Sequence, residues 1–145
     1  MSASPPVQNS TTIGLRGLTA LAVLVSGLCH GYLYFFGGWD FGRIGVLFMV
    51  NAVSGIVISV LVLAWRHWFS LFLAFGFCVV TAAGFLFSRY GGELAYKLLG
   101  VNDMIWGWSQ ILCLVAEVIG AIAALGAFFA ERWLTAARSE HTAVA

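Results

Sequence analysis

The chain has 145 residues, of which 61% are hydrophobic and only 9% are charged. A soluble domain is about half apolar and about a quarter charged, so this composition excludes an ordinary water-soluble domain and indicates a membrane protein. The formal charge is +1, and the sequence has no basic run of the kind that binds nucleic acid. We therefore expect a lipid bilayer, and not nucleic acid, as the partner of this chain.

Four apolar runs follow a short polar tail, and each is long enough to cross a hydrocarbon core of about 30 Å. Residues 1–12 contain both prolines among Ser, Thr and Asn, which is typical of disorder. The predicted spans cover about residues 17–36, 44–65, 69–88 and 104–130, and the polar residues 134–145 form a second tail. Residues 13–133 are thus predicted to form one all-α transmembrane domain, a four-helix antiparallel up-down bundle.

The connections between the spans constrain their arrangement. Only residues 66–68 separate the second span from the third, which predicts a tight hairpin. Between the third and fourth spans, leucines line one side of a short helical segment, and Glu93 and Lys97 stand four residues apart on the other. We expect this amphipathic helix, between Gly92 and Gly100, to lie at the membrane interface.

The tryptophans support these boundaries, because none of the six falls in the middle of a predicted span. Trp39, Trp106 and Trp108 fall at one predicted membrane face, and Trp65, Trp68 and Trp133 fall at the other. Lys and Arg are slightly more frequent on the side of the termini, which favours cytoplasmic termini. The predicted location is a bacterial cytoplasmic membrane.

One acidic residue, Glu117, lies near the middle of the fourth predicted span. A carboxylate at the bilayer centre costs about 3 kcal/mol on insertion scales, so such a group is a candidate for function or assembly. Each span also carries one polar side chain about 10 Å below the face opposite the termini. These side chains are His30, Asn51, Thr81 and Gln110. With Glu117 they form the predicted polar cluster, held together by interhelical hydrogen bonds.

Direct contact between Glu117 and His30 is not implied, because Glu117 lies roughly two helical turns deeper. A tilted helix, a buried water molecule or the Ser26 hydroxyl would bridge the distance between Glu117 and His30. Alternatively, burial keeps the Glu117 carboxyl group protonated. Three interpretations of the pair are open: a proton or ion relay, a structural hydrogen bond, or contact with another protein chain. For Asn51, Thr81 and Gln110, helix packing is favoured over ligand binding.

The fourth span also carries small residues at a spacing of four, namely Ala116, Gly120 and Ala124. This spacing places them on one helix face, where small side chains let another helix approach closely. Both internal packing and docking of a partner chain fit this pattern.

Motifs for common membrane enzymes are absent from the sequence. His30 is the only histidine within a predicted span, so a bis-histidine haem site inside one subunit is not expected. There is no G-x-S-x-G elbow, no H-E-x-x-H motif and no Gly-rich phosphate loop. An enzyme is therefore the least supported class, and no catalytic residue, cofactor or metal ligand is predicted.

Three segments resemble small four-span integral membrane proteins of actinobacteria. They read S-G-L-C-H-G-Y-L at 26–33, G-V-L-F-M-V-N-A-V-S-G at 45–55 and L-V-A-E-V-I-G at 114–120. The first span, with an Arg followed by a G-x-x-H stretch, is also similar to DoxX-type four-helix proteins. These resemblances imply a four-helix membrane protein and supply no catalytic residue.

Three functions are open on the sequence alone. The leading hypothesis is a non-catalytic accessory or interaction subunit, which associates with itself or with a larger membrane complex. The alternative is a proton-coupled or small-solute transporter or channel that uses the polar cluster, as a homo-oligomer because four helices enclose little volume. A third possibility is a quinone- or lipid-associated redox subunit that uses His30.

Overall fold

The computed structural model describes residues 10–102 and 106–143, with side chains up to residue 136. Within these ranges the secondary structure is entirely helical: α1 (Ser10–Phe36), α2 (Gly42–Ala64), α3 (Trp68–Tyr90), α4 (Gly92–Leu99) and α5 (Trp108–Ala143). Four helices, α1, α2, α3 and the Trp108–Ala136 part of α5, are long and apolar enough to cross a membrane. The predicted all-α class and the four apolar spans are thus confirmed.

Two long helices extend beyond the predicted spans. α1 begins at Ser10, so the end of the predicted tail 1–12 is helical, and Thr12 is only 1% exposed. Residues 1–9 lie outside the described ranges. α5 continues to Ala143, through most of the predicted tail 134–145, because this segment has neither Gly nor Pro and is rich in good helix formers.

The start of α5 also differs from the prediction. The expected start at residue 104 lies outside the described residues, and Trp106 and Gly107 are not helical, so the helix begins at Trp108.

α1 lies at the centre of the bundle, since it contacts α2, α3 and α5. The core is built mainly from small and branched side chains: Ala20, Val23, Val62, Leu71, Ala74, Phe77, Cys78, Ala124 and Ala127. Large apolar side chains are instead exposed along the outside of every long helix. This distribution is expected of helices that present their outer faces to lipid and pack through small residues inside.

The closest approach of two helices is at Gly27 of α1 and Gly55 of α2. A Cβ atom built on Gly55 would lie 2.7 Å from the Cα atom of Gly27. Since carbon atoms pack at about 3.5–4.0 Å, a side chain here would force the two helices apart.

Arg16 connects all four long helices at the end of the bundle where α1 begins. Its side chain is buried, and its guanidinium donates to the Glu131 carboxylate of α5 at 3.1 Å. It also donates to the Val62 carbonyl of α2 at 3.0 Å and lies 3.3 Å from the Ser70 hydroxyl of α3. We call this arrangement the Arg16 network.

The predicted short amphipathic helix is present as α4. Glu93 and Lys97 form an exposed ion pair at 2.7 Å. The helix ends at Gly100, whose φ of +80° is the left-handed conformation that glycine adopts at little cost. Arg43, at the start of α2, donates to the carbonyls of Lys97 and Leu98 at 3.0 and 3.2 Å. These hydrogen bonds satisfy carbonyls that the end of a helix leaves free, and they hold α4 against the start of α2.

Candidate functional site

A cavity of about 280 Å³ lies in the half of the bundle away from the Arg16 network. Apolar and aromatic side chains form most of its wall, including Trp39, Phe48 and Phe85. All members of the predicted polar cluster line it: His30, Asn51, Thr81, Gln110 and Glu117. The structure therefore arranges these five side chains around one space.

Glu117 is the most deeply buried polar group of the cavity, with 1% of its surface exposed. Its Oε1 atom accepts a hydrogen bond from the Ser26 hydroxyl at 2.9 Å. Its Oε2 atom is buried and has no hydrogen-bond partner among the described residues. A buried polar atom without a partner costs about 1–3 kcal/mol. Glu117 therefore lines the cavity with one carboxyl oxygen whose hydrogen-bonding capacity is unused among the described residues.

His30 and Glu117 are connected through Ser26 and do not contact each other directly. The His30 Nδ1 atom donates to the Ser26 carbonyl oxygen at 2.9 Å. Because a carbonyl only accepts hydrogen bonds, Nδ1 carries a proton, and Nε2 of the neutral ring is an acceptor. The imidazole is also held edge-on against the Phe48 ring, with centroids 5.1 Å apart. Ser26 thus orients Glu117 through its hydroxyl and His30 through its carbonyl oxygen.

The two amide side chains face the cavity from different helices. Asn51 Oδ1 lies 3.4 Å from the Thr81 hydroxyl, and Gln110 Oε1 accepts from the Ser109 hydroxyl at 3.1 Å. The Thr81 hydroxyl is closer to the Phe77 carbonyl, at 2.7 Å. Neither amide nitrogen hydrogen-bonds to a described residue, so the cavity wall offers N–H donors from α2 and α5.

The cavity opens between α2 and α3. Leu47 on α2 and Val80 on α3 both line it, yet 42% and 72% of their respective surfaces are exposed. Gly84 lies one turn after Val80 and also lines the cavity, and a Cβ atom built on it would meet no neighbouring atom within 4 Å. We call this opening, bounded by Leu47, Val80 and Gly84, the α2–α3 gap.

The small-residue face of the fourth span packs inside the chain. Ala116 and Ala124 are buried, and a Cβ atom built on Gly120 would lie 2.7 Å from Cys78 Sγ and 3.3 Å from Ala22 Cβ. This face of α5 therefore contacts α1 and α3. It is not free to receive a partner chain while the bundle is folded as described.

Among residues 10–102 and 106–136, no three His, Cys, Asp or Glu side chains are grouped in a way that would hold a metal ion. The cysteines are free, and Cys78 and Cys113 are buried. Hydrogen-bonding and apolar side chains therefore form the wall of the cavity.

Comparison with protein-family models, with curated proteins and with solved structures finds no match. The resemblance to four-span actinobacterial proteins and to DoxX-type proteins thus rests only on the sequence segments quoted above and stays an expectation. The fold and the site define a class, an apolar four-helix protein with a partly polar internal cavity. Because one fold supports many functions, the chemistry of this cavity, and not the fold, indicates the function.

Ser26→Ala is expected to lower the free energy of unfolding by about 1–3 kcal/mol, because both carboxyl oxygens of Glu117 would then lack a partner. Thermal unfolding of the purified chain in one detergent measures the change. The double variant Ser26→Ala with Glu117→Met is expected to recover part of the loss, since it removes the unsatisfied group as well. Unchanged stability of Ser26→Ala would show that this hydrogen bond is not formed.

Proposed function

We propose that this chain is an integral membrane protein that binds a small lipophilic molecule in the cavity beside Glu117. In this proposal α1, α2, α3 and α5 cross a bacterial cytoplasmic membrane as an antiparallel bundle with cytoplasmic termini. α4 then lies at the opposite interface, with its exposed leucines Leu94 and Leu98 toward the lipid. The four apolar helices and the short connection between α2 and α3 support this arrangement.

The observation that carries the proposal is that Glu117 lines an open, mostly apolar cavity while its buried Oε2 atom has no hydrogen-bond partner among the described residues. A carboxyl group that served only to join helices would be expected to have both oxygens hydrogen-bonded within the bundle. Binding cavities are typically about 300–1,000 Å³, with apolar walls and a few polar groups that converge. A cavity of 280 Å³ is at the lower end of this range and accommodates a small head group.

The leading hypothesis from the sequence, an accessory subunit, loses one of its main supports in this structure. It relied in part on the small-residue face of the fourth span, and Ala116, Gly120 and Ala124 pack within the chain. The large apolar side chains that remain exposed on the long helices are compatible with contact with lipid.

The transport alternative is also weakened by the geometry at Ser26. A proton relay needs groups that both accept and donate protons in sequence. Here the Ser26 hydroxyl donates to Glu117, while the carbonyl oxygen of the same residue accepts from His30. Since a backbone carbonyl has no proton to pass on, the described contacts do not form a proton path between the two residues.

Binding can be tested by extracting the tagged chain from its source membrane directly into polymer-bounded nanodiscs and quantifying the apolar compounds that accompany it. We expect one compound at about one molecule per chain, held by the polar atoms and apolar wall of the cavity. Glu117→Leu should lose it because that side chain cannot hydrogen-bond. Gly76→Ala is the matched control, since Gly76 has open space around it and does not line the cavity. Identical compound profiles for wild type and Glu117→Leu would contradict the proposal.

A further inference from the structure

We infer that the ligand is an uncharged lipid with a carbonyl-bearing head group and a long apolar chain, and that it reaches the cavity from within the bilayer through the α2–α3 gap. This inference rests on the proposed function and specifies the chemical class of the ligand and its route.

The position of the gap indicates the route. Gly84 and Val80 lie six and ten residues before the end of α3 at Tyr90, which places them about 9 and 15 Å from that end of the helix. An opening at this depth in a membrane-spanning helix faces acyl chains and not water. The exposed residues that precede Leu47 and Val80 in the chain, Val46 and Val79, are apolar as well. A molecule dissolved in the bilayer therefore meets the gap directly.

The end of the cavity nearer to α4 is covered by apolar side chains. Trp39, Leu99 and Val101 line it there. The hydrogen bonds from Arg43 to the last carbonyls of α4 hold Leu99 close to the start of α2. Within the described residues, the lining side chains at this end are thus half-buried, whereas Leu47 and Val80 at the α2–α3 gap are exposed.

The lining of the cavity indicates the head group. Among the described residues, no Lys or Arg side chain lines it, and the buried Arg89 guanidinium lies behind the Phe85 ring of the wall. A phosphate or other anionic head group would therefore have no counter-charge in direct contact, at a high cost in free energy. Asn51 and Gln110 offer N–H donors, which match the oxygen acceptors of a carbonyl group. A protonated Glu117 carboxyl group donates to the carbonyl oxygen of the head group, whereas a Glu117 carboxylate, like the Nε2 atom of His30, accepts from a hydroxyl if the head group carries one.

The size of the cavity indicates the chain. About 280 Å³ holds a head group and only the first carbons of a long chain. The rest of the chain would leave through the gap past Leu47 and Val80 and lie along the exposed apolar faces of α2 and α3. Its transfer from one hydrocarbon environment to another involves no loss of hydration, so binding depends on the head group.

A photoreactive long-chain monoacylglycerol, with a diazirine near its ester, tests this inference on the full chain in phosphatidylcholine nanodiscs. We expect labelling of the cavity segments of α2 and α5. Gly84→Leu places a side chain in open space at the gap and should reduce labelling about tenfold, a change of about 1.4 kcal/mol. The control is Gly76→Leu, on the same helix and also in open space but away from the cavity, which should label as wild type does.

Competition identifies the part of the lipid that is recognised. A long-chain monoacylglycerol without the diazirine and a long-chain alkyl benzoquinone share the uncharged carbonyl head, and the one that competes more strongly identifies the source of the ligand. A short-chain acetyl glycerol has the same head group but does not concentrate in the bilayer from which the gap is reached, and a long-chain alkyl phosphate is charged, so neither is expected to compete. Competition by either of these would overturn the inference about the chain or about the head group.

The route and the proposed function fail in different ways. Labelling of Gly84→Leu at the wild-type level, together with loss of labelling in Glu117→Leu, would overturn the route and leave the cavity as the binding site. Equal labelling of wild type and Glu117→Leu would overturn the proposed function itself.

Discussion

Gly55→Val is expected to prevent normal folding of the bundle. The first side-chain atom at this position would lie 2.7 Å from Gly27 Cα and 3.1 Å from both Gly27 N and the Val23 carbonyl oxygen. All three are backbone atoms, so no side-chain rotation relieves the contact, and α1 and α2 must move apart. Overpacking costs about 1–3 kcal/mol even where flexible side chains absorb it, and a backbone contact should exceed that range.

The yield of monodisperse protein in mild detergent and its thermal unfolding measure this effect. Gly17→Val is the matched control, because Gly17 lies in α1 with no neighbouring atom within 4 Å of a built Cβ atom. Gly55→Ala, which adds only the Cβ atom, should fall between the control and Gly55→Val. If Gly55→Val were as stable as Gly17→Val, α1 and α2 would not meet at these glycines.

Arg16→Met is expected to destabilise the bundle by about 3 kcal/mol, the lower end of the range found when one partner of a buried ion pair is removed, because the Glu131 side chain remains 17% exposed. The substitution leaves the Glu131 carboxylate without its cation and removes a donor from the Val62 carbonyl. Arg16→Lys keeps the charge but has no planar fork that reaches Glu131 and the carbonyls together, so it should recover only part of the stability.

Arg66→Met provides the control for this variant, since it removes the same charge near the same end of the bundle from an exposed side chain. The comparison uses thermal unfolding of the variants in one detergent. Combining Arg16→Met with Glu131→Gln should recover stability, because neither buried charge then remains. Equal loss in Arg16→Met and Arg66→Met would mean that the Arg16 network is not formed.

The parts of the fold that the sequence predicts are those encoded locally. An apolar run longer than the thickness of a bilayer reports a span by itself, and all four such runs are helices. The spacing of Glu93 and Lys97, followed by Gly100, likewise predicts α4. The ends of α1 and α5 are harder to predict, because both helices continue beyond the apolar runs into polar residues such as Thr12 and Glu131, where hydrophobicity gives no signal.

The contacts that hold the bundle together are not local. Arg16 and Glu131 are 115 residues apart, and each alone reads as an ordinary charge at the end of a span. Gly27 and Gly55 are two of 17 glycines, and a single sequence does not indicate which of them meet. Such pairs follow from the three-dimensional arrangement of the helices.

The candidate site is likewise predictable from the sequence only in its local features. Depth along the helices groups His30, Asn51, Thr81 and Gln110, because the rise per residue of a helix is known. Whether such residues touch or surround a space depends on the separation of α2 and α3, which no local pattern encodes. The sequence allows several groups to bridge His30 and Glu117, and only the structure identifies the Ser26 hydroxyl as the donor to Glu117.

The Arg16 network and the cavity lie at opposite ends of the bundle. Arg16 and His30 are on the same helix, separated by about 21 Å at the rise of an α-helix. The Arg16 network is therefore separate from the residues that would select a ligand, whereas the Gly27–Gly55 contact and the Ser26–Glu117 hydrogen bond hold helices together close to the cavity. A chain of this kind can acquire new ligands by exchanging cavity side chains outside these contacts, such as Asn51 and Gln110, while the packing of the helices is kept.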